Sequence, residues 1–392
     1  MRSEAGSPPA SVTVADLSER ELVARIQQHL PPAPDWVLVG IGDDAAVVAP
    51  ERNRVEVLTI DAIVEGVHFD RAFVPPDAIG HRALAVNLSD LAAMGAAPRL
   101  ALLSMVLPSA FPLADFDAIA RGIAALAASH RLHVAGGNLT RSPGPLMIDV
   151  AVMGTVKRRQ ALTRSGARPG DDVYVSGSIG SAAAGLRVLR DLVRRQSAVI
   201  NQQSFVSRLS RQTEGRRLVT DDRRLVPGDL GLTTDDWRLV TAYLHPVPRV
   251  RLGLLVARNR AAAACMDLSD GLADAVHQMA DASGVGMTID ADALPIDPCA
   301  RAFFEAQGTD ALIDAVTGGD DYELLLAARP RMRGRLAAAA GHGNVPLTRI
   351  GRCTDDRAVM LQRTAGDTVL DALPMPRGYS HFAPPKGSRS DA

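Results

Sequence analysis

Carboxylate side chains recur beside glycines and at the ends of apolar segments along this chain. Residues 40–44 (GIGDD) put two acids on a glycine turn, and Asp61 ends a β-branched strand that begins near Val55. Residues 266–271 (MDLSDG) put two more acids about one helical turn apart. Mg²⁺ takes oxygen ligands and usually works together with substrate phosphates. The set of acids therefore predicts metal-assisted phosphoryl transfer, without indicating the acceptor.

Asp90 adds to this set because its neighbours are almost all apolar. Leu84, Val86, Leu88 and Leu91 surround it in a segment that predicts a mostly buried helix. A buried carboxylate is costly unless a cation or hydrogen-bond donors compensate its charge. The position of Asp90 is therefore typical of a residue that binds a cation.

Each motif taken alone also has a purely structural explanation. Glycine–aspartate sequences are common in turns, and Ser269 is a residue type that caps helices. The glycine pairs Gly136-Gly137 and Gly177/Gly180 predict turns whose backbone N–H groups could bind phosphate oxygens. The phosphoryl-transfer hypothesis depends on the whole set of motifs.

Composition excludes several classes of protein. The formal net charge of −1 lacks the basic character that nucleic acid or an anionic membrane surface would attract. No apolar run reaches the roughly 18 residues that span a bilayer, and the first residues do not have the layout of a secretory signal. Lys157 and Lys386 are the only lysines, and no Walker A loop is present. Phosphate charge must therefore be neutralised by other groups, such as Mg²⁺.

The three cysteines are too few and too widely spaced for a disulfide framework or a cysteine-rich zinc site. Cys265, Cys299 and Cys353 include no CxxC pair. This usage is typical of a reducing compartment, and we expect the protein to be cytoplasmic.

Strands and helices alternate along the chain, which predicts α/β or α+β architecture. A length of 392 residues predicts two domains, which we place at 15–160 and 161–382. The polar composition of 191–235 predicts a surface insertion, and that of 1–14 and 383–392 predicts flexible tails. The pattern predicts helices over 236–257 and 301–316, and also at 76–94, 113–130, 271–283 and 331–340. It predicts strands at 100–107, 146–156, 263–267, 286–290 and 322–328.

Five motifs, taken in order, resemble the thiamine-monophosphate kinase family of the aminoimidazole-ribonucleotide synthetase-like superfamily. They are GIGDDAAVV, ALAVNLSDLAAMGAAP, ALTRSGARPGDDVYVSG, MDLSDGL and GGDDYELL, and the resemblance covers about 16–382 apart from 191–235. It implies a two-domain fold, with a mixed sheet in the N-terminal domain and an α+β C-terminal domain. It also implies transfer of the γ-phosphoryl of ATP to thiamine monophosphate, several Mg²⁺ ions and, by analogy, a homodimer.

The resemblance carries over residue by residue. The positions that match the family's magnesium sites are Asp44, Thr59, Ile60, Asp61, Asp90, Asn138, Asp267 and Asp270. Those that match its ATP sites are Asp44, Thr59, Gly137, Asn138, Arg164 and Ser269. Those that match its thiamine contacts are His68, Asp320 and Pro376, and residues 378–382 (GYSHF) resemble its aromatic tail. No residue is expected to act as a covalent nucleophile or general base, because the attacking phosphate oxygen is already anionic at pH 7.

Three positions depart from the family pattern, and alternatives within the superfamily differ in their cysteines. Asn138 stands in place of an aspartate, Ile60 in place of a hydroxyl residue and Pro376 in place of an aromatic residue. Selenophosphate synthetase and the hydrogenase-maturation dehydratase are disfavoured, because neither a reactive cysteine in an N-terminal glycine-rich loop nor a C-terminal cysteine is present. A nucleotide-binding paralogue with lost or redirected kinase activity is the open alternative.

Overall fold

The computed structural model describes residues 12–196, 231–365 and 368–378. Most of the predicted insertion and nearly all of both predicted tails lie outside these ranges. Residues 12–14 were included in the N-terminal tail, but Val14 is buried and its N–H donates to the carbonyl of Phe111 at 2.9 Å. The tail prediction was therefore wrong for this short stretch.

The N-terminal half is built on a four-stranded mixed sheet covered on one face by two helices. The sheet order is β3-β6-β4-β5, antiparallel except for the parallel pair β4–β5. Its elements are α1 (Glu19–His29), β1 (Val37–Val39), β2 (Val47–Val48), β3 (Arg54–Val64), α2 (Pro76–Ala93), β4 (Ala97–Pro108), α3 (Leu113–Ser129), β5 (His133–Ser142) and β6 (Met147–Lys157). The strands alternate between buried residues under the helices and more accessible residues on the other face.

The C-terminal half contains a seven-stranded mixed sheet in the order β13-β12-β9-β11-β7-β10-β8. Only the pair β9–β12 is parallel. Its elements are β7 (Asp172–Ser176), α4 (Ser181–Gln196), α5 (Thr234–Leu244), α6 (Val250–Asn259), β8 (Ala264–Asp267), α7 (Leu272–Ser283), β9 (Gly286–Asp290), α8 (Pro298–Ala306), α9 (Ala311–Thr317), β10 (Leu324–Ala328), α10 (Arg333–Gly343), β11 (Leu347–Thr354), β12 (Val359–Ala365) and β13 (Thr368–Pro374). The two sheets with their helices confirm the predicted fold class.

Helix α2 lies between the two halves and is buried on nearly every side. It packs on α3 and β3 of its own half and on α6 and β8 of the other. A Cβ on Gly253 of α6 would lie 2.0 Å from the carbonyl oxygen of Ala92, so glycine permits this close helix contact. Residues on α2 are therefore held in fixed positions relative to the C-terminal sheet.

Two predicted helices are interrupted in the structure. The segment 236–257 forms α5 and α6, separated by Pro246 and Pro248, which lack the N–H that a continuous helix needs. The segment 301–316 forms α8 and α9, which are separated by Gly308 in a left-handed conformation. Strands β11, β12 and β13 were not predicted. No helix in the described ranges is long and apolar enough to cross a membrane.

Candidate active site

A group of polar side chains lies where α2, β3 and β8 meet between the two halves. Thr59 and Asp61 alternate with Ile60 on edge strand β3 and point toward the helices, since their sheet partners Val152 and Val150 are buried. The hydroxyl of Thr59 donates a hydrogen bond to Asp90 on α2. These contacts join one strand and one helix of the N-terminal half at a single point.

Asp267 brings the C-terminal half into the same group. It ends β8, is only 3% exposed, and accepts a 2.7 Å hydrogen bond from the hydroxyl of Ser89 on α2. We call Thr59, Asp61, Asp90 and Asp267 the cleft cluster. It consists of three carboxyl groups with one hydroxyl donor, at the boundary between the two halves.

Burial and mutual charge repulsion raise the pKa of two carboxyl groups in the cleft cluster. Burial and the charge of Asp90 raise the pKa of Asp267 to about 7, although the hydrogen bond from Ser89 acts in the opposite direction. Asp61 is partly accessible at the sheet edge. Burial of its carboxyl, the charge of Asp90 and a hydrogen bond with Asp90 raise the pKa of Asp61 to about 7, with smaller contributions from Asp267 and Asp149. Such mutual repulsion is relieved when a cation binds between the carboxylates.

The donor chemistry fits Mg²⁺, because the cluster offers carboxylate and hydroxyl oxygens and no sulfur. A buried oxygen of Asp149, Oδ1, also has no hydrogen-bond partner. However, no three acidic, histidine or cysteine side chains among the described residues are arranged as a metal site. The cluster is thus chemically suited to a hard cation, and its side chains are not in coordination geometry.

A second group of predicted site residues lies on the opposite, open face of the N-terminal sheet. Asp44, Ile60, Gly137 and Asn138 line one cavity of about 1540 Å³ over this face. Asp149, which was not predicted, and Thr59 of the cleft cluster also line it. The cavity also contacts the chain segment around Gly40 and the apolar side chain of Leu102. The predicted set is therefore divided between two faces of one sheet.

The two groups are also separated across the sheet. Asp61 on β3 and Gly137 on β5 lie in the same row, with Val150 and Leu103 between them. Three strand spacings place these edge strands roughly 14 Å apart. Within one chain, Gly137 and Asn138 are therefore not next to Asp61, which differs from the single gathering that the sequence suggested.

The predicted glycine turns have other roles. Gly136 and Gly137 lie inside β5, where a Cβ on Gly137 would be 1.8 Å from the carbonyl oxygen of Leu103, so this prediction was wrong. Gly177 and Gly180 do form a turn with positive φ. Their N–H groups are occupied, since Gly177 donates to Pro346 and Gly180 donates to the carboxylate of Asp321. They are thus not available to a phosphate in this structure.

The segment 267–271 carries two more predicted residues, and Arg164 lies close to it. Ser269 does not cap the following helix: α7 begins after Gly271, which occupies the cap position with φ +95°. The structural explanation of Ser269 was therefore wrong. Asp270 directly precedes Gly271. Arg164 lies near enough to Asp267 to favour its ionised form, and it donates to Gln278 on α7.

The residues predicted to contact thiamine lie around the same boundary. Asp320 forms a 3.1 Å ion pair with Arg82 of α2, and its N–H donates to the carbonyl of Ser269. His68 lies just beyond β3 and accepts a hydrogen bond at Nδ1 from the N–H of Val64, the last residue of that strand. Pro376 follows β13, and Gly378, two residues further on, lies against Asp270 and Asp274 at the beginning of α7. Residues 379–382 of the predicted aromatic tail lie outside the described residues.

Four polar residues that help to build this region were not predicted from the sequence. Asp149 is the only acid in the apolar strand β6, a signal that could have singled it out. Ser89 lies beside Asp90, but nothing in the sequence links it to Asp267. Arg82 is a buried polar partner, and Asp321 is a partly buried one that accepts hydrogen bonds from the N–H groups of Gly180 and Ala182 at the start of α4. Their partners are more than 130 residues away, so local patterns do not reveal them.

The two mixed sheets and the polar cluster at their boundary define a protein built from the two domains of the AIR synthase related proteins. The family description "AIR synthase related protein, N-terminal domain" matches residues 42–156, and the corresponding C-terminal domain matches 235–362. The thiamine-monophosphate kinase of Salmonella typhimurium is 35% identical over 372 residues, covering 94% of this chain and 99% of that protein. The chain belongs to the thiamine-monophosphate kinase family.

Solved structures agree with this assignment. The thiamine-monophosphate kinase of Stenotrophomonas maltophilia K279a is 39% identical, with a TM-score of 0.70 and coverage of 88% of this chain and 96% of that one. A structure described as "AaThiL complexed with AMPPCP and TMP" is 26% identical, with a TM-score of 0.64 and coverage of 95% and 99%. The similarity therefore spans both halves of the molecule.

Proposed function

We propose that this protein is an ATP-dependent kinase that phosphorylates thiamine monophosphate, giving thiamine diphosphate and ADP. The observation that carries the proposal is the cleft cluster at the boundary of two domains that match their family over nearly full length. A relative with the same fold is described as a complex with AMPPCP and TMP, an ATP analogue and the acceptor. Both substrates carry phosphates, which suits a cleft of carboxylates only if cations are shared between them.

The reaction needs positioning more than acid–base chemistry. The acceptor is a phosphate monoester whose second pKa is near 6, so its attacking oxygen is anionic at neutral pH. Thr59 and Ser89 orient the carboxylates of Asp90 and Asp267 through their hydroxyl groups. Arg164 supplies a positive charge beside Asp267. Fixed groups of this kind favour in-line transfer between two phosphates without a covalent intermediate.

Magnesium is part of the proposal. When bound, Mg²⁺ would neutralise the oxygens of both phosphates in place of the absent Walker A lysine. The residues that would hold it are Asp44, Thr59, Ile60 through its carbonyl, Asp61, Asp90, Asn138, Asp267 and Asp270. ATP would contact Asp44, Thr59, Gly137, Asn138, Arg164 and Ser269, and the thiamine moiety would contact His68, Asp320 and Pro376. Support comes from the raised pKa values of Asp61 and Asp267 and the unpartnered oxygen of Asp149.

A homodimer completes the proposal. The open face of the N-terminal sheet exposes Leu58, Ile60 and Leu102, which are 74%, 63% and 42% exposed. Contiguous apolar surface of this kind usually marks an interface. Pairing two copies through this face would cover the leucines and would enclose Asp44 and Asn138 beside a second subunit. We retain 15–160 and 161–382 as the proposed domain limits, with both domains needed to form each cleft.

The assay is ADP release by the purified protein, measured with ATP and Mg²⁺ in the presence and absence of thiamine monophosphate. Release that requires both the acceptor and Mg²⁺, together with formation of thiamine diphosphate, supports the proposal. Binding of ATP with no acceptor-dependent release would support the alternative of a nucleotide-binding paralogue. A different metal requirement would contradict the magnesium part alone.

A further inference from the structure

Helix α2 holds three polar residues on one side, and each contacts a different segment of the cleft. Ser89 and Asp90 follow Arg82 by seven and eight residues, a spacing that places all three along one face of a helix. Ser89 contacts Asp267 and Asp90 contacts Thr59, as described above. The role of Arg82, about two turns nearer the beginning of the helix, is not explained by the phosphate chemistry.

Arg82 is almost completely buried and is held by several partners. Its side chain is 2% exposed, and its two terminal nitrogens donate to the carbonyl of Tyr243 at 2.5 Å and to Asp320 at 3.1 Å. The guanidinium also stacks over the ring of Tyr243, 4.3 Å from its centre. Its Nε is buried without a partner. A buried arginine with one unused donor is costly, and the ion pair with Asp320 compensates for part of that cost.

The segment that Arg82 contacts has an unusual backbone. Asp320 and Tyr322 both have positive φ, at +68° and +49°, although neither is glycine. Such residues cost free energy and persist only when surrounding contacts enforce them. Here the N–H groups of Asp320 and Tyr322 donate to Ser269 and Leu268 at 2.8 and 3.0 Å. The segment 318–322 is thus fastened both to the strand end that carries Asp267 and, through Arg82, to α2.

The ion pair also changes what Asp320 can do. Both of its carboxylate oxygens have partners, since Oδ2 accepts from Arg82 and Oδ1 accepts a 2.9 Å hydrogen bond from the hydroxyl of Tyr322. Its negative charge is therefore largely offset inside the protein. A bound cation would experience a fixed, nearly neutral surface at Asp320 instead of a free carboxylate.

We propose that Arg82 is a positioning residue for the acceptor, fixing segment 318–322 at the distance from the cleft cluster that phosphoryl transfer requires. This inference rests on the proposed function. The side chain of Arg82 contacts Asp320 and Tyr243 and neither the cleft cluster nor the residues assigned to ATP, so we expect its main effect on the acceptor side. Because it joins the two halves, it also sets the width of the cleft there.

The test is the Arg82→Lys variant, which keeps the charge but cannot bridge both Asp320 and the carbonyl of Tyr243. We expect the KM for thiamine monophosphate to rise about tenfold, the loss of one charge-assisted hydrogen bond. The KM for ATP and the Kd of AMPPCP measured by calorimetry should stay within about twofold of the wild-type values. Asp320→Asn, which removes the same ion pair from the other side, should give the same pattern if Arg82→Lys does not fold.

Arg187→Lys is the matched control. Arg187 also pairs with a carboxylate through both terminal nitrogens, at 2.6 and 2.7 Å to Asp314, and stacks on a ring, that of Phe304. Its partners lie on α8 and α9 and not on α2 or in segment 318–322, so both KM values should be unchanged.

Provided that the wild type turns over, the positioning role would be overturned by either of two results for Arg82→Lys. One is an unchanged KM for the acceptor, and the other is an equal increase in the KM for the acceptor and for ATP. No acceptor-dependent ADP release by the wild type would overturn the proposed function and this inference with it.

Discussion

The substitution Asp90→Asn separates the catalytic importance of the cleft cluster from its contribution to stability. It preserves the size of the side chain and a group that can accept the hydrogen bond from Thr59, but it removes one negative charge. That charge contributes to the raised pKa of both Asp61 and Asp267. Loss of the charge should therefore have opposite effects on turnover and on the stability of the metal-free protein.

The expected gain in stability follows from the repulsion that disappears. Two unit charges about 5 Å apart repel by roughly 3 kcal/mol at an effective dielectric constant of about 20. Asp61 is partly accessible to solvent and Asp61 and Asp267 are only partly ionised near neutral pH, so we expect a gain of about 1–2 kcal/mol without Mg²⁺. This corresponds to a rise of a few degrees in Tm.

The expected loss in activity comes from the same carboxylate. An interaction that neutralises charge during transfer contributes about 3–4 kcal/mol, so kcat/KM should fall at least about 100-fold. Turnover is measured by coupled ADP release and stability by thermal unfolding, in EDTA and in excess Mg²⁺. Mg²⁺ should raise the Tm of the wild type more than that of the variant.

Asp115→Asn serves as the control, because Asp115 pairs with Arg71 at 2.9 Å on a partly exposed part of the N-terminal half. It carries the same chemical change, and turnover should be unaffected. The reasoning is refuted if Asp90→Asn turns over within threefold of the wild type. It is equally refuted if the variant is less stable than the wild type in EDTA.

Three further predictions concern charge, pH and assembly. Asn138→Asp should maintain or raise activity at low Mg²⁺ in the ADP-release assay, and a large loss would mean that this position does not face a metal ion. In EDTA, Tm should fall between about pH 5.5 and pH 8: the folded protein keeps protons on Asp61 and Asp267 that the unfolded chain releases above about pH 4, so their stabilising contribution is lost as the pH rises through 7. Asp267→Asn should flatten this dependence, and an equally steep curve in that variant would contradict the assignment. Leu58→Glu on the open sheet face should convert a dimer to a monomer in light scattering and reduce turnover, whereas a wild-type protein that is already monomeric would exclude the dimer.

The order of the elements was predictable where each one is long and regularly patterned. Helix α2 was expected over 76–94 and lies at Pro76–Ala93, and the apolar strands β4 and β6 are within a few residues of their expected limits. The elements that were predicted wrongly or not at all depend on single residues or have weak sequence patterns. Pro246 and Pro248 divide one expected helix, and the strands after Gly343 carry too mixed a pattern to be recognised without their sheet partners.

Gly137 shows that a glycine can be required for either of two physical reasons, a turn or the close approach of two backbones. A pair of glycines in a polar context indicates a turn when only the sequence is considered. In the structure, the pair lies in strand β5, and position 137 requires glycine because the carbonyl of Leu103 leaves no room for a Cβ. Close approach of two backbones is a tertiary property, so composition does not distinguish it from a turn.

The sequence by itself determined the residue types that can meet a phosphate and a hard cation, and the kinds of element that carry them. Residue type determines charge, pKa range and local backbone preference, and these quantities act over a few positions of the chain. Only the tertiary structure decided which acids share a cleft. It joined Thr59, Asp61, Asp90 and Asp267, and it left Gly137 and Asn138 on the far edge strand β5. That division arises because side chains alternate across a strand and edge strands lie at opposite sides of a sheet, so proximity depends on strand order and not on sequence spacing.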